Sequence, residues 1–537
     1  MKTKQLFISL TLGLGLALTL LWLLGGLSKV VFAQAGSGII RVALPPTGND
    51  APNCGGEANP CCTAQYGVDQ AQAGDEILIA SGIYTGVSAR AGVTQVVYIS
   101  KSVTIRGGYT TTDWTMSDPE NNPTTLDAQE QGRVLYITGD ISPTIEGLRI
   151  TGGNAGGLGG YTRGWTIYDA GGGVYVITAT ASFSNNQVFE NAADDGGGLF
   201  LRSSHTMLHN NVICSNTALF WGGGVLLEFS DAAFSGNTIT ANTAPSGGGG
   251  LLKFSNTTLS GNTVAANSAY QGGGLLMGYS DTTLSNNTIS SNTAISEGGG
   301  IAMYRGNAAL GGNAIISNSA GDEGGGLYLS GSGASLSGDI VSSNSAGASG
   351  GGLFLHCSDA TLTNTLIVEN QANTAGSGLY VWWCSSLRAL HSTIARNNGG
   401  DSSGIHVTNY LDRFSTVALT NTILVSHTVG ITVTASNTAT LEATLWGTDT
   451  WANTTDWGGT GTIITGARNY WGDTAFVDPG AGDYHIGLTS TAIDKGVDAG
   501  VDDDIDGDPR PQGSGYDIGA DESGYKIYLP VMLRQWP

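Results

Sequence analysis

The sequence predicts an all-β chain, a right-handed parallel β-helix solenoid with coils of about 26 residues. Three observations predict it. First, a glycine-rich step followed by an apolar triplet recurs, with its last glycine at Gly173, Gly198, Gly224, Gly250, Gly274, Gly300, Gly326, Gly352, Gly378, Gly404 and Gly430. The intervals are 25, 26, 26 and 24, and then 26 six times. Second, an asparagine series keeps the same period: Asn191, Asn216, Asn242, Asn267, Asn292, Asn318, Asn344, Asn370 and Asn397. Third, Pro245 is the only proline between Gly173 and Gly430, which suits a ladder in which nearly every N–H must donate.

Each part of the unit has a physical reading. Leu199-Phe-Leu201, Leu327-Tyr-Leu329 and Leu353-Phe-Leu355 are too short for helices and are bounded by glycine, as strands are. The unit is also shorter than the ~40–50 residues of a propeller blade. Stacked coils stand ~4.8 Å apart, so equivalent residues lie above one another. Buried asparagines in such a column can hydrogen-bond to their copies, and an unpaired buried amide would cost about 1–3 kcal/mol. An earlier motif repeats as well, in Phe234-Ser-Gly-Asn237-Thr-Ile239 and Leu284-Ser-Asn-Asn287-Thr-Ile289. The glycine step with Phe-x-x-Asn, as from Phe183 to Asn186, resembles the repeats of polymorphic outer membrane proteins and related pectin-lyase-like β-helices. That resemblance covers roughly residues 130–435 and implies the fold more than any function.

Composition narrows the function classes. Glycine is 84 of 537 residues, only 12 % are charged, and the formal net charge is −22. Nucleic acid and anionic membrane surfaces are poor partners for such a chain. Lys2 and Lys4, the apolar run Leu6 to Leu27, and Val31 and Ala33 read as a signal peptide cut after Ala33, or else as an uncleaved anchor. Either reading places the body outside the cytoplasm, secreted or at the cell surface; cleavage leaves no membrane span in the mature protein, and no later segment could cross as a helix. A monomer is expected.

The ends differ from the middle. Residues 34–135 form a strand-rich lead-in that resembles the cap and first coils of secreted bacterial β-helix proteins. The run Asn469-Tyr-Trp-Gly472, Phe476-Val-Asp-Pro479, Asp483-Tyr-His485, Ala492-Ile-Asp494, Asp504-Ile-Asp506-Gly-Asp-Pro-Arg510 and Asp517-Ile-Gly-Ala-Asp-Glu522 is similar to the choice-of-anchor Q domain. These readings divide the chain into a signal peptide (1–33), cap and first coils (34–135), regular repeats (136–435), final coils with the anchor-like region (436–524), and a tail (525–537).

Candidate chemistry is sparse. The Asn-Thr-Asp, Gly-His-Gly and Arg-Ile-Lys motifs of polygalacturonases are absent, as are the Trp and Pro motifs of pectate lyases. Glu297 and Glu323 precede their glycine steps one period apart, with Asp322 adjoining, and should stack at ~5 Å, near the separation used by retaining glycosidases. The bland alternative is a solvated acidic turn, since Asp195 holds the same place four steps earlier. No basic partner is evident. Period-2 alternation turns the second and fourth residues after each step outward. The second reads Tyr175, Phe200, Leu226, Leu252, Leu276, Ala302, Tyr328, Phe354, Tyr380 and His406; the fourth includes Tyr304, His356 and Trp382. Tyr304, Tyr328, Phe354, His356, Tyr380 and Trp382 thus form an aromatic stripe suited to a polysaccharide or cell-surface glycan, unless loops cover it.

Cys357 and Cys384, 27 residues apart, are placed for a disulfide between adjacent coils. Cys54 is expected to pair with Cys61 or Cys62, and Cys214 to be a buried thiol. Asp502, Asp504 and Asp506 copy the first half of an EF-hand loop, and Ca²⁺ is the cofactor they suggest. Gly513 stands at the twelfth place, so a true EF-hand is excluded and an acidic turn is the alternative. Adhesion or glycan display without catalysis is the expected function; a polysaccharide lyase or glycoside hydrolase is the alternative.

Overall fold

A computed structural model describes residues 38–524. The signal peptide and the tail from 525 lie outside the described residues. The body is a parallel β-solenoid built from two sheets that run its length, of 28 and 15 strands, and an eight-stranded sheet over the middle coils, from Ala192–Asp195 to Gln371–Ala372. Nearly every inter-coil pairing is parallel and one coil apart, as in Leu327–Ser330 with Leu353–His356, where Leu327 faces Leu353 and Tyr328 faces Phe354.

One coil shows how the sequence makes the shape. Strand Leu275–Gly278 ends at Tyr279, strand Thr282–Ser285 at Asn286, strand Thr288–Ser290 at Ser291, and the short strand Thr293–Ala294 leads to Gly298. All four corner residues have positive φ, near +52 to +67°. Each bend therefore costs one left-handed residue, and the residue after it fills the bend: Ser280, Asn287, Asn292 or a glycine. The glycine step needs its glycines. Gly298 supplies φ +67°, and a Cβ on Gly299 would stand 2.5 Å from the carbonyl oxygens of both Gly325 and Ser319.

The asparagines form two buried columns. In one, Asn267 donates from its main-chain N and its Nδ2 to Asn292 Oδ1, both at 3.0 Å, and Asn292 does the same to Asn318. This column runs from Asn191 to Asn397 and ends on His427 Nε2, 3.2 Å from Asn397 Nδ2. The motif around Asn237 and Asn287 makes the second column, from Asn186 to Asn313, where Asp339 takes the next place. Between the columns the bore is filled by inward aliphatics such as Leu329, Leu336, Val341 and Leu355.

The spacing needs one correction. Gly250 pairs with Val225 and Leu275, so the equivalent of Gly224 is Gly249, and the step intervals there become 25 and 25. Leu251 rather than Leu252 then points outward; Leu252 lies in the bore.

Both ends are closed. Helix Ala64–Gln70, capped by Thr63 Oγ1 accepting from Tyr66 N at 3.2 Å, lays Ala64 and Val68 against Val42 and Ile77. At the other end Trp446 is fully buried in the bore. Beyond the last coil the chain turns back. Phe476, Tyr484, Ile486, Ala492, Ile518 and Ala520 pack on the outer faces of Leu366, Val368, Ile423, Val425 and Leu445. This wrap is tied down by Asn364 Nδ2 to Asp503 O (2.7 Å), by Asn421 to Val497, and by a buried Arg510–Glu522 ion pair at 2.8 Å.

Disulfides join Cys54 to Cys61 and Cys357 to Cys384, with Cα–Cα distances of 5.0 and 4.7 Å. Cys62 and Cys214 are free and half-buried, so Cys214 is not the fully buried thiol expected.

Candidate functional site

The outward residues of the fifteen-stranded sheet meet the eight-stranded sheet at the glycine corner. Because the coil bends inward there, the second-position side chains sit in a groove rather than on an open face. Tyr175, Phe200, Leu226, Leu251, Leu276 and Ala302 form a buried cluster of their own. Phe354 is 1 % exposed and Tyr328 6 %. These two were expected to face a ligand; instead they are packed between their neighbours and the glycine turn. The row continues as a stack, with ring centroids 5.7 Å apart from Tyr304 to Tyr328, 5.4 Å to Phe354, 5.1 Å to Tyr380 and 5.1 Å to His406. Tyr304, His356, Tyr380 and Trp382 are half-buried and present edges to the groove.

Midway along, the groove opens into a pocket of about 290 Å³. Its floor is Leu251 and Leu276, and Trp221, Ser246 and Gln271 stand on the side of the eight-stranded sheet. Tyr279 belongs to the opposite corner, and Lys253 and Tyr304 close the two ends. Gly278 makes the opening. It occupies the place held by Lys253 and Tyr304 in the adjoining coils, and a Cβ there would meet no atom within 4 Å. Tyr304 Oη lines this pocket, shielded from solvent and without a hydrogen-bond partner among the described residues. Beside the pocket, Phe229, Phe254 and Tyr279 form an exposed stack with centroids 5.0–5.1 Å apart.

A charged cluster adjoins the pocket on the N-terminal side. The hairpin of strands Gly160–Arg163 and Thr166–Asp169 leaves the coil and lies over the groove. Its Tyr161 hydroxyl donates to Glu228 Oε1. Arg202 and Lys253 each approach Glu228 at 3.6 Å. Arg163 pairs with Asp195 at 3.1 Å and lies between the rings of Tyr168 and Trp221, 3.7 and 3.6 Å from their centroids. Burial pushes the Asp195 carboxyl up to about 7, against the pull of Arg163. Burial and the Glu228 carboxylate push the Tyr161 hydroxyl up as well. The expectation that no basic partner would be found is therefore corrected. Arg202 and Lys253 hold the register position of Glu228 in the two coils adjoining it, and Arg163 comes from the hairpin that the fold lays over them.

Models of the family described as "Right handed beta helix region" match residues 121–288, 172–338 and 273–445, which together span more than half of the chain. The chain belongs to the right-handed β-helix family. No curated protein matches this β-helix chain. Among solved structures it is similar to pectate lyase Pel9A (12 % identity, 91 % of this chain and 98 % of that one, TM-score 0.26). It is also similar to a mutant form of the periplasmic alginate epimerase AlgG (11 %, 74 % and 85 %, TM-score 0.37) and to PfbA, a surface adhesin of Streptococcus pneumoniae (10 %, 76 % and 87 %, TM-score 0.19).

On the C-terminal side of the pocket, Glu297 and Glu323 line the same groove of the β-helix. Gln271 Nε2 donates to Glu297 Oε2 at 2.7 Å. Burial, and then the charges of Glu297 and Asp322, push Glu323 up to about 7. Asp322 accepts from Ser296 Oγ at 3.0 Å.

Asp502, Asp504 and Asp506 do not gather as a ligand set. Asp504 spends both oxygens on main-chain N–H groups, of Asp506 and Asp508 (2.9 and 2.8 Å) and of Glu522 (3.0 Å). Asp502 is exposed, and Asp506 faces His485 and Asp521 instead. The motif is thus a turn held by Asp504. Among the described residues no helix is long and apolar enough to cross a membrane.

Sequence reasoning missed the pocket walls and the charged cluster. One signal was present: Glu228-Phe229-Ser, Lys253-Phe254-Ser and Gly278-Tyr279-Ser put a charge or a gap beside an aromatic at 25-residue spacing.

Proposed function

We propose that this protein is an exported β-helix rod, secreted or held at the cell surface, that binds a polysaccharide or cell-surface glycan in the corner groove. The pocket between Trp221 and Tyr279 is its principal subsite. One observation carries this reading: an aromatic-walled opening over an apolar floor, a setting in which a sugar ring can stack. The likeness of residues 469–522 to the choice-of-anchor Q region belongs to the same reading, with the wrap as the end of the displayed rod. The test is a glycan-array and polysaccharide-binding screen on residues 34–524. Binding lost in Trp221→Ala and in Gly278→Tyr, both still folded, supports the proposal; binding unchanged in both sinks it.

A second reading, a polysaccharide lyase or glycoside hydrolase, is favoured by the Tyr161, Glu228 and Asp195 cluster with its three cations. A carboxyl near neutrality beside a phenol is an arrangement suited to proton transfer. Release of unsaturated or reducing sugar ends, abolished by Glu228→Gln, would replace the binding role with catalysis.

A further inference from the structure

The wrap holds a second gathering of ligand-type side chains, independent of the groove. His485 lies on strand Asp483–Ile486, Asp506 on the turn held by Asp504, and Asp521 shortly before the end of the described chain. One ligand atom from each lies within 4.8 Å of the other two.

The ring of His485 is oriented for coordination. Its Nδ1 stands 2.5 Å from Asp483 Oδ1, the carboxylate contact that fixes the tautomer and leaves Nε2 as the donor atom. That Nε2 lies 2.8 Å from Asp506 Oδ2. It is buried and still has no hydrogen-bond partner, because the contact fails hydrogen-bond geometry. Two donor atoms cis on one cation, each ~2.1 Å from it, stand ~3 Å apart whether or not a hydrogen points between them. The third group, Asp521, is only 9 % exposed, and Ile486 N donates to its Oδ2 at 2.7 Å, which sets the carboxylate plane. The guanidinium of Arg510 is committed to Glu522, so it does not neutralise the carboxylates around this imidazole. A cavity of about 370 Å³, lined also by Val477, Asp508 and Gly524, gives an ion an entry path and room for water ligands.

We propose that His485, Asp506 and Asp521 bind a first-row divalent transition ion, such as Zn²⁺ or Mn²⁺, which ties three segments of the wrap to one another. One imidazole with two carboxylates suits these ions, whereas Ca²⁺ is served by oxygen ligands alone. The three ligands come from three separate segments of the wrap, and a second cavity beside them is lined by Gly312, Gly338, Ile340 and Leu366 of the coils. A shared ion would therefore tie those segments together where they meet the coils.

The test uses the full chain stripped with a chelator and titrated with ZnCl₂, MnCl₂ or CaCl₂, followed by calorimetry, thermal unfolding and hydrogen exchange. The expected result is one saturable Zn²⁺ or Mn²⁺ site, a raised unfolding temperature, and slower exchange across 476–524. Asp506→Asn should weaken binding by about tenfold or more. It should leave the metal-free unfolding temperature unchanged, because the Asp506 side chain is exposed and its ion pair is with His485 alone. No saturable binding below ~1 mM overturns the proposal. So does binding that Asp506→Asn leaves intact, or a site that takes Ca²⁺ in preference to both transition ions.

Discussion

Asn292→Leu tests whether the asparagine columns hold the coils together. Leucine has nearly the same shape but neither donor nor acceptor. Asn292 Oδ1 accepts from the main-chain N and from Nδ2 of Asn267, and its own Nδ2 donates to Asn318 Oδ1 and, at 2.8 Å, to the Val264 carbonyl. The substitution strands two buried donors on Asn267 and removes a donor from Val264. Asn318 Oδ1 keeps the main-chain N–H of residue 292, so the damage falls on the N-terminal neighbour. At about 1–3 kcal/mol for each orphaned buried group, with partial relaxation, the loss is about 4 kcal/mol. Urea unfolding followed by tryptophan fluorescence measures it, and hydrogen exchange locates it at the amides of 264–267. Thr288→Ala, on the solvent face of the same coil, should change stability by less than about 0.5 kcal/mol. A loss below about 1 kcal/mol for Asn292→Leu would show that the column only fills space, and the argument from buried amides would fail.

The other predictions use different parts of the molecule. Phe354→Ala should cost about 3–5 kcal/mol because its ring is packed on both sides, whereas Trp382→Ala, at the half-exposed rim, should cost far less; equal losses would mean that the groove is not where the glycine turn puts it. Cys384→Ser opens a 27-residue loop and should lower stability by about 3 kcal/mol in denaturant titrations run without reductant. The molecule should melt at a higher temperature at pH 6 than at pH 8.5. Burial raises Asp195 and Glu323 to about 7 and Asp339 to about 6, so their contribution is complete below their unfolded values and is lost as pH rises through 6–7. His391 and His427, buried and pushed down to about 3 and 4, act in the opposite sense, and only below about 6.5. A melting temperature that rises steadily from pH 6 to pH 8.5 would contradict this.

The repeat was legible because its causes are local. A left-handed bend every few residues demands glycine or tolerates asparagine and serine, and stacking forces the same choice in each coil. The Cys357–Cys384 link followed from the period alone. The groove was not legible, since alternation says which way Tyr328 and Phe354 point from their strand but not that the neighbouring sheet folds over that side. The hairpin carrying Tyr161 and Arg163 interrupts the period, and nothing local shows where it lands. The wrap did leave a trace. Outward places that read Thr288 and Ser290 in a middle coil become Leu366 and Val368, then Ile423 and Val425, where Phe476, Tyr484 and Ile518 cover them.

That wrap also decides how load enters the rod. Ile505 and Asp506 reach the coils of Gly312 and Gly338, while the last coil lies near Tyr470, about five coils and ~24 Å further along the axis. Tension applied beyond Gly524 is therefore delivered to the flank of the solenoid and not to its tip. It meets the apolar seam and the Asn364 and Asn421 contacts before any inter-coil ladder. In a pulling experiment the seam should yield first, lengthening the chain by some fifty residues while the stacked coils stay closed, so the molecule carries its own extensible link in series with a stiff shaft.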